Sequence, residues 1–265
     1  MKASKADGTL GTKQETGLLV VFNKENKVAQ EMTFPGRPIG ITLSGDNLFV
    51  TDGLNHRVAV IDKKSLTIVK TFGKSGEREG EFRFPKGIAI DEKGFVYIGD
   101  TFNGRIQVLD KNGTFVSQYG YYSSLLGGFL GLSGVSADKT GKIYAVDSIF
   151  RKKVAQDEIQ IFNSAQFYRS GEKIPSADTK LTDTGRKNAL YGYFQKPYAM
   201  EMGRAKNDSG ESLYMPIGLA IDYQNVAYFE KYASPGTKID YLIWLTSQSA
   251  GNGKNITVFG HIAKK

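Results

Sequence analysis

Residues able to do chemistry are few in this 265-residue chain. It has two histidines, His56 and His261, and no cysteine. Disulfides, thiolate zinc sites, c-type haem attachment and a thiol nucleophile are thereby excluded. Two histidines cannot supply a three-histidine metal centre, and neither lies near a Gly-x-Ser-x-Gly turn that would present a serine nucleophile. Gly251-Asn252-Gly253-Lys254 lacks the spacing and the hydroxyl of a phosphate-binding loop. The run Glu77-Arg78-Glu79-Gly80-Glu81 has the charge to hold a cation, but it reads as a solvated loop. The sequence therefore gives no catalytic residue, no metal site and no cofactor.

The most specific signal is a turn that occurs twice. Asp52-Gly53-Leu54-Asn55-His56-Arg57 is matched by Asp100-Thr101-Phe102-Asn103-Gly104-Arg105. Asp52 and Asp100 are placed to accept hydrogen bonds from turn backbone, and Gly53, Asn55, Asn103 and Gly104 tolerate a positive φ. Arg57 and Arg105 can reach back to the aspartates as charge-assisted bonds. These six polar residues, Asp52, Asn55, Arg57, Asp100, Asn103 and Arg105, read as structural rather than chemical.

The elements around that turn repeat as well. Pro38-Ile39-Gly40-Ile41-Thr42-Leu43 returns as Pro85-Lys86-Gly87-Ile88-Ala89-Ile90 and again as Leu132-Ser133-Gly134-Val135-Ser136-Ala137. Within a unit, short β-branched and aromatic runs alternate with turn residues, as in Phe95–Ile98, Ile106–Leu109 and the Asn112-Gly113 turn into Thr114–Tyr119. Four antiparallel strands in a unit of this length are the mark of a propeller blade. The fold class is thus all-β.

The stretch from Phe72-Gly73 through Gly80-Glu81-Phe82-Arg83-Phe84-Pro85-Lys86-Gly87-Ile88 to Asp100-Thr101-Phe102-Asn103-Gly104-Arg105-Ile106 resembles an NHL repeat almost position for position. The resemblance is strong over residues 35–162 and weak over 171–260. It implies an NHL-type β-propeller of about five to six four-stranded blades, forming one domain over residues 17–262 after a tail of residues 1–16. Gly17–Phe22 and Lys27–Phe34 read as the outer half of a blade, with Ile239–Leu245 and Asn255–Phe259 as strands near the other end. Strands from both termini are expected to close the ring and remove its open edges. Gly192–Pro197 reads as the entry to another inner strand carrying Met200, Glu201 and Met202, of which Glu201 is the one carboxylate on such a strand.

Composition fits an ordinary globular protein, with 40 % hydrophobic, 12 % aromatic and 23 % charged residues. No apolar run approaches the roughly 20 residues needed to cross a bilayer as a helix. The net charge of +8 is dispersed along the chain, which argues against DNA binding and suits solubility. No signal peptide is visible in the first 16 residues. The compartment stays open, and the resemblance alone favours an extracytoplasmic setting.

Departures between copies point to the face that matters, because insertions in repeat proteins map to loops on one side. The linker Gly120–Gly131 is apolar, with Tyr121, Tyr122, Leu125, Leu126, Phe129 and Leu130. The next turn is lengthened and carries Arg151, Lys152 and Lys153. These nine residues are the candidate partner-binding set, expected to lie on the face through which NHL proteins, by resemblance, meet their partners. The expected function is a non-catalytic protein-interaction or scaffolding module in a larger assembly. Alternatives are a single-stranded RNA-binding propeller, with Phe102, Tyr121 and Tyr122 stacking on bases, a glycan binder, or a propeller lactonase or lyase.

Overall fold

Successive side chains of a strand point to opposite faces, and strand β10 (Val96–Asp100) buries both sets. Val96 and Ile98 pack with Phe49, Val58, Val60 and Phe82 on one side. Tyr97 packs with Phe129, Leu132, Val135 and Phe162 on the other. A strand so placed needs a neighbouring sheet against each face, which explains why it reads as a nearly continuous apolar run.

The computed structural model describes residues 3–4, 10–11, 15–122, 128–139, 142–147, 158–163, 198–200, 216–231, 235–236, 238–247 and 256–261. Three four-stranded antiparallel sheets follow one another in chain order. The first holds β5 (Pro38–Ser44), β6 (Asn47–Asp52), β7 (Arg57–Asp62) and β8 (Thr67–Phe72). The second holds β9 (Pro85–Ile90), β10, β11 (Arg105–Leu109) and β12 (Phe115–Tyr119). The third holds β13 (Leu132–Ala137), β14 (Lys142–Asp147), β15 (Glu158–Asn163) and β16 (Tyr198–Met200). A three-stranded sheet of β17 (Pro216–Asp222), β18 (Tyr241–Ser247) and β19 (Ile256–His261) packs on the third through Tyr144, Val146, Tyr241 and Ile243. A short helix, Val226–Glu230, lies between β17 and β18, where Phe229 meets Trp244 edge-on.

One expectation about the strands is revised. β16 is the outermost strand of the third sheet, pairing with β15, so Met200 does not lie on an inner strand; Glu201 and Met202 lie outside the described residues. Near the N-terminus, β1 (Ala3–Ser4) pairs with β2 (Leu10–Gly11), and β3 (Gly17–Phe22) pairs with β4 (Val28–Phe34). Among the described strand pairs, β3 and β4 join each other, and β18 and β19 extend β17. The outer half of the first blade is covered by Leu19, Met32 and Phe34. On its inner strand Ile41 and Leu43 stay exposed.

The repeated glycine has a steric cause in the first two inner strands. A Cβ on Gly87 would sit 2.5 Å from the Val135 nitrogen, and one on Gly40 would collide with the Lys86 carbonyl oxygen. Inner strands of adjacent blades therefore meet backbone to backbone at these positions. Thr51 Oγ1 reinforces the Gly40–Lys86 contact by donating to the Lys86 carbonyl at 2.6 Å, and Thr101 Oγ1 donates to Leu132 O at 2.7 Å.

Candidate functional site

The repeated turn ties each blade to the linker that enters it. Asp52 Oδ2 accepts from Asn55 Nδ2 at 2.7 Å and from Arg57 Nε at 3.1 Å, while Oδ1 accepts from Arg37 N–H at 3.0 Å. Asn55 and Arg57 both also donate to the Pro35 carbonyl. In the second blade Asp100 Oδ1 accepts from Arg83 N–H at 2.6 Å, and Oδ2 accepts from Asn103 Nδ2, Arg105 Nε and Gln107 Nε2. Arg105 further donates to the Arg78 and Glu81 carbonyls. The left-handed residue of the turn is His56 in one copy and Gly104 in the other, rather than Gly53 or the asparagines.

Two related devices are absent from the sequence reading. Asp147 clamps the third linker by accepting from the N–H groups of Leu130 and Gly131. Its register with Asp100, 47 residues earlier as in the inner strands, is the available signal. At the opposite end of the blades, Tyr97 OH donates to Asp91 at 2.8 Å, Tyr144 OH to Asp138 at 2.9 Å, and Trp244 Nε1 to Asp222 at 3.2 Å. Burial, the Tyr241 hydroxyl and the Asp138 charge push the Tyr144 phenol far above its ordinary range, so it serves as a neutral donor.

Burial alone would raise the Asp52 pKa, but the hydrogen bonds from Asn55, the Arg37 and Asn55 N–H groups and Arg57 outweigh it and hold the carboxyl below its ordinary value. A group whose folded pKa is depressed stabilises above its unfolded pKa of about 4, and that contribution is lost as pH falls through the lower folded value. Urea midpoints are therefore expected to drop below about pH 4. Asp52→Asn should start from a lower midpoint at neutral pH and show a shallower acid slope.

The clamps bring the linkers and the turns between second and third strands to one face. Phe84, in the linker to the second blade, has φ +55°, which is unusual for a bulky residue. Its N–H donates to Nδ1 of His56 at 2.9 Å, itself left-handed at φ +54°. The Phe84 ring stacks on Phe102 at 5.1 Å and 16°. The Arg37 guanidinium and the Lys86 ammonium lie 5.9 Å and 5.8 Å from the Phe84 ring centroid, within cation–π range. Gly53 makes room for this, since a Cβ there would collide with the Ile39 side chain and stand 3.2 Å from the Phe84 ring. Partial burial pushes the Lys86 ammonium below its ordinary pKa.

The candidate residues divide. Tyr122 is 66 % exposed and borders the Gly104 turn, and Phe102 is 61 % exposed. Tyr121 is half-buried, as is Leu130, whose N–H is taken by Asp147. Phe129 is fully buried against Tyr119 and Phe162 and belongs to the core, not to a contact surface. Leu125, Leu126, Arg151, Lys152 and Lys153 lie outside the described residues. Phe129→Ala should cost about 3–5 kcal/mol of stability, whereas Tyr122→Ala should stay within about 0.5 kcal/mol. Paired thermal melts check both. Among the described residues no three His, Asp or Glu side chains gather as a metal site would require.

Three four-stranded antiparallel sheets stacked face to face, the linker into each clamped by an aspartate of that sheet, make this an all-β propeller-type fold. The NHL repeat model matches residues 82–109, so the chain carries an NHL repeat over its second blade. Protein lin-41 of Caenorhabditis elegans is 44 % identical over 50 residues, 19 % of this chain and 4 % of that protein. The probable peptidyl-alpha-hydroxyglycine alpha-amidating lyase pgal-1 of the same organism is 29 % identical over 107 residues, 38 % of this chain and 31 % of the lyase. The matches thus span well under two thirds of these relatives. A solved nidogen/laminin complex superposes with a TM-score of 0.51 at 12 % identity, over 92 % of this chain and 74 % of that one, a likeness of fold alone.

Proposed function

We propose that this protein is a non-catalytic interaction module that holds a protein partner on the face formed by the linkers and the Asp-x-x-Asn-x-Arg turns. The observation that carries this reading is the exposure of Phe102 and Tyr122 on a rigid, clamped surface. Large exposed aromatics on a fixed scaffold bind at little conformational cost. The acids Asp52, Asp100, Asp138 and Asp147 are meanwhile engaged in holding backbone or neighbouring side chains. Native purification from the source, with mass spectrometry of what co-migrates, tests the reading. The expected result is a stoichiometric protein partner that is lost when Phe102 and Tyr122 are both replaced by alanine. A bare monomer, or a partner unaffected by both changes, overturns it.

A second reading, single-stranded RNA, draws support from the same exposed aromatics and from the two cations over Phe84. It differs in expecting steep salt dependence of binding.

A further inference from the structure

We propose that Lys86 and the Phe84–Phe102 stack form a subsite for one carboxylate flanked by an apolar side chain, so that the partner docks through an extended acidic–hydrophobic peptide segment. The inference rests on the protein-partner reading above and names the chemistry of that partner.

Lys86 is half-buried at the start of an inner strand. Among the described residues its ammonium has no hydrogen bond or ion pair, only the Phe84 ring 5.8 Å away. An ammonium partly withdrawn from water and left without an anion is costly, and an incoming carboxylate removes that cost.

The neighbouring cations are already engaged. Arg37 pairs with Glu15 at 2.5 Å, Arg83 with Glu77 at 2.7 Å and Lys74 with Glu81 at 3.3 Å. Arg57 and Arg105 are held in the clamps. The patch therefore offers one cation to one negative group. A phosphodiester strand carries a charge on every nucleotide and is tracked by several free cations, which this patch does not supply.

Around the Phe84 ring the surface is apolar. Phe102 stacks on it with a ring 61 % exposed, and Ile39, 40 % exposed, flanks Gly53 together with Phe84. A phosphate track has no use for aliphatic side chains, whereas a peptide with Asp or Glu beside Leu, Phe, Tyr or Trp meets both features. The site is preorganised, because His56 holds Phe84 in its left-handed conformation before anything binds.

The test pans a phage library of random dodecapeptides on the folded protein, counter-pans on Lys86→Met, and measures decauridine RNA in a separate arm. Enriched peptides are expected to place Asp or Glu beside an aromatic or aliphatic residue. A synthetic peptide of that sequence should lose roughly tenfold or more in affinity to Lys86→Met, to Phe102→Ala and to its own carboxylate-to-amide change. Should Lys86→Met fail to fold, the Lys86 Nζ resonance of the unaltered protein, titrated with the peptide and with its amide counterpart, gives the same answer. No enrichment, enrichment without acidic residues, or Lys86-dependent decauridine binding each overturns the proposal. A co-purifying partner whose binding survives Lys86→Met removes this subsite while leaving the interaction role standing.

Discussion

Replacing Asp100 by alanine is expected to cost about 3–5 kcal/mol, and the same change at Asp52 distinctly less. Asp100 is fully buried, and its partner Arg105 is 7 % exposed at the side chain. Removing the carboxylate leaves a guanidinium in a site that water cannot enter, together with the donors of Asn103, Gln107 and the Arg83 N–H. Arg57, at 26 % side-chain exposure, can instead recover solvation at the surface when Asp52 is lost. Urea denaturation of the two variants under one condition measures the contrast. Equal losses would mean that the clamps act through backbone capping alone, because both aspartates accept a linker N–H. The Asp100→Asn variant separates these contributions further, since its amide keeps an acceptor but no longer neutralises Arg105.

The repeat made the clamps legible, and it did so because one physical requirement recurs in the first three blades. Asp52 and Asp100 stand at the same place in the unit and do the same work, so a comparison within the chain exposes them. Asp147 does similar work for the third linker, but its turn lacks the following Asn and Arg, and the pattern failed there. Alternation along a strand also shows which residues are buried together; it does not show what covers them. Phe129 illustrates the gap. In a glycine-rich linker it reads as surface, yet it is buried in one cluster with Tyr119 and against Phe162, which no local pattern records. The patch at Lys86 was hidden for a related reason. Phe84 holds the place taken by Arg37 in the first linker and Gly131 in the third, so nothing in the repeat marks it. It becomes a feature only when Gly53, in the place of Thr101, lets the ring settle over the neighbouring turn.

The second large effect is expected at Gly87. Alanine there should cost on the order of 3 kcal/mol, at the upper end of what overpacking a tight interior produces. The obstructing atoms decide the size of the effect. The added methyl would lie 2.5 Å from the Val135 nitrogen and 2.8 Å from the Gly134 carbonyl carbon, and backbone in a paired strand cannot rotate aside as a side chain can. Relief requires separating the inner strands of two blades, which loosens the apolar layer of Ala89, Leu132 and Val135 beside them. Gly94 supplies the control. It has φ +86° and open space for 4 Å around the point where a Cβ would stand, so Gly94→Ala carries backbone strain alone, about 1–2 kcal/mol. Denaturation midpoints of Gly87→Ala and Gly94→Ala test the argument. A loss at Gly87 no larger than at Gly94 would show that adjacent blades can move apart freely, and the repeated glycine would then need a cause other than close approach.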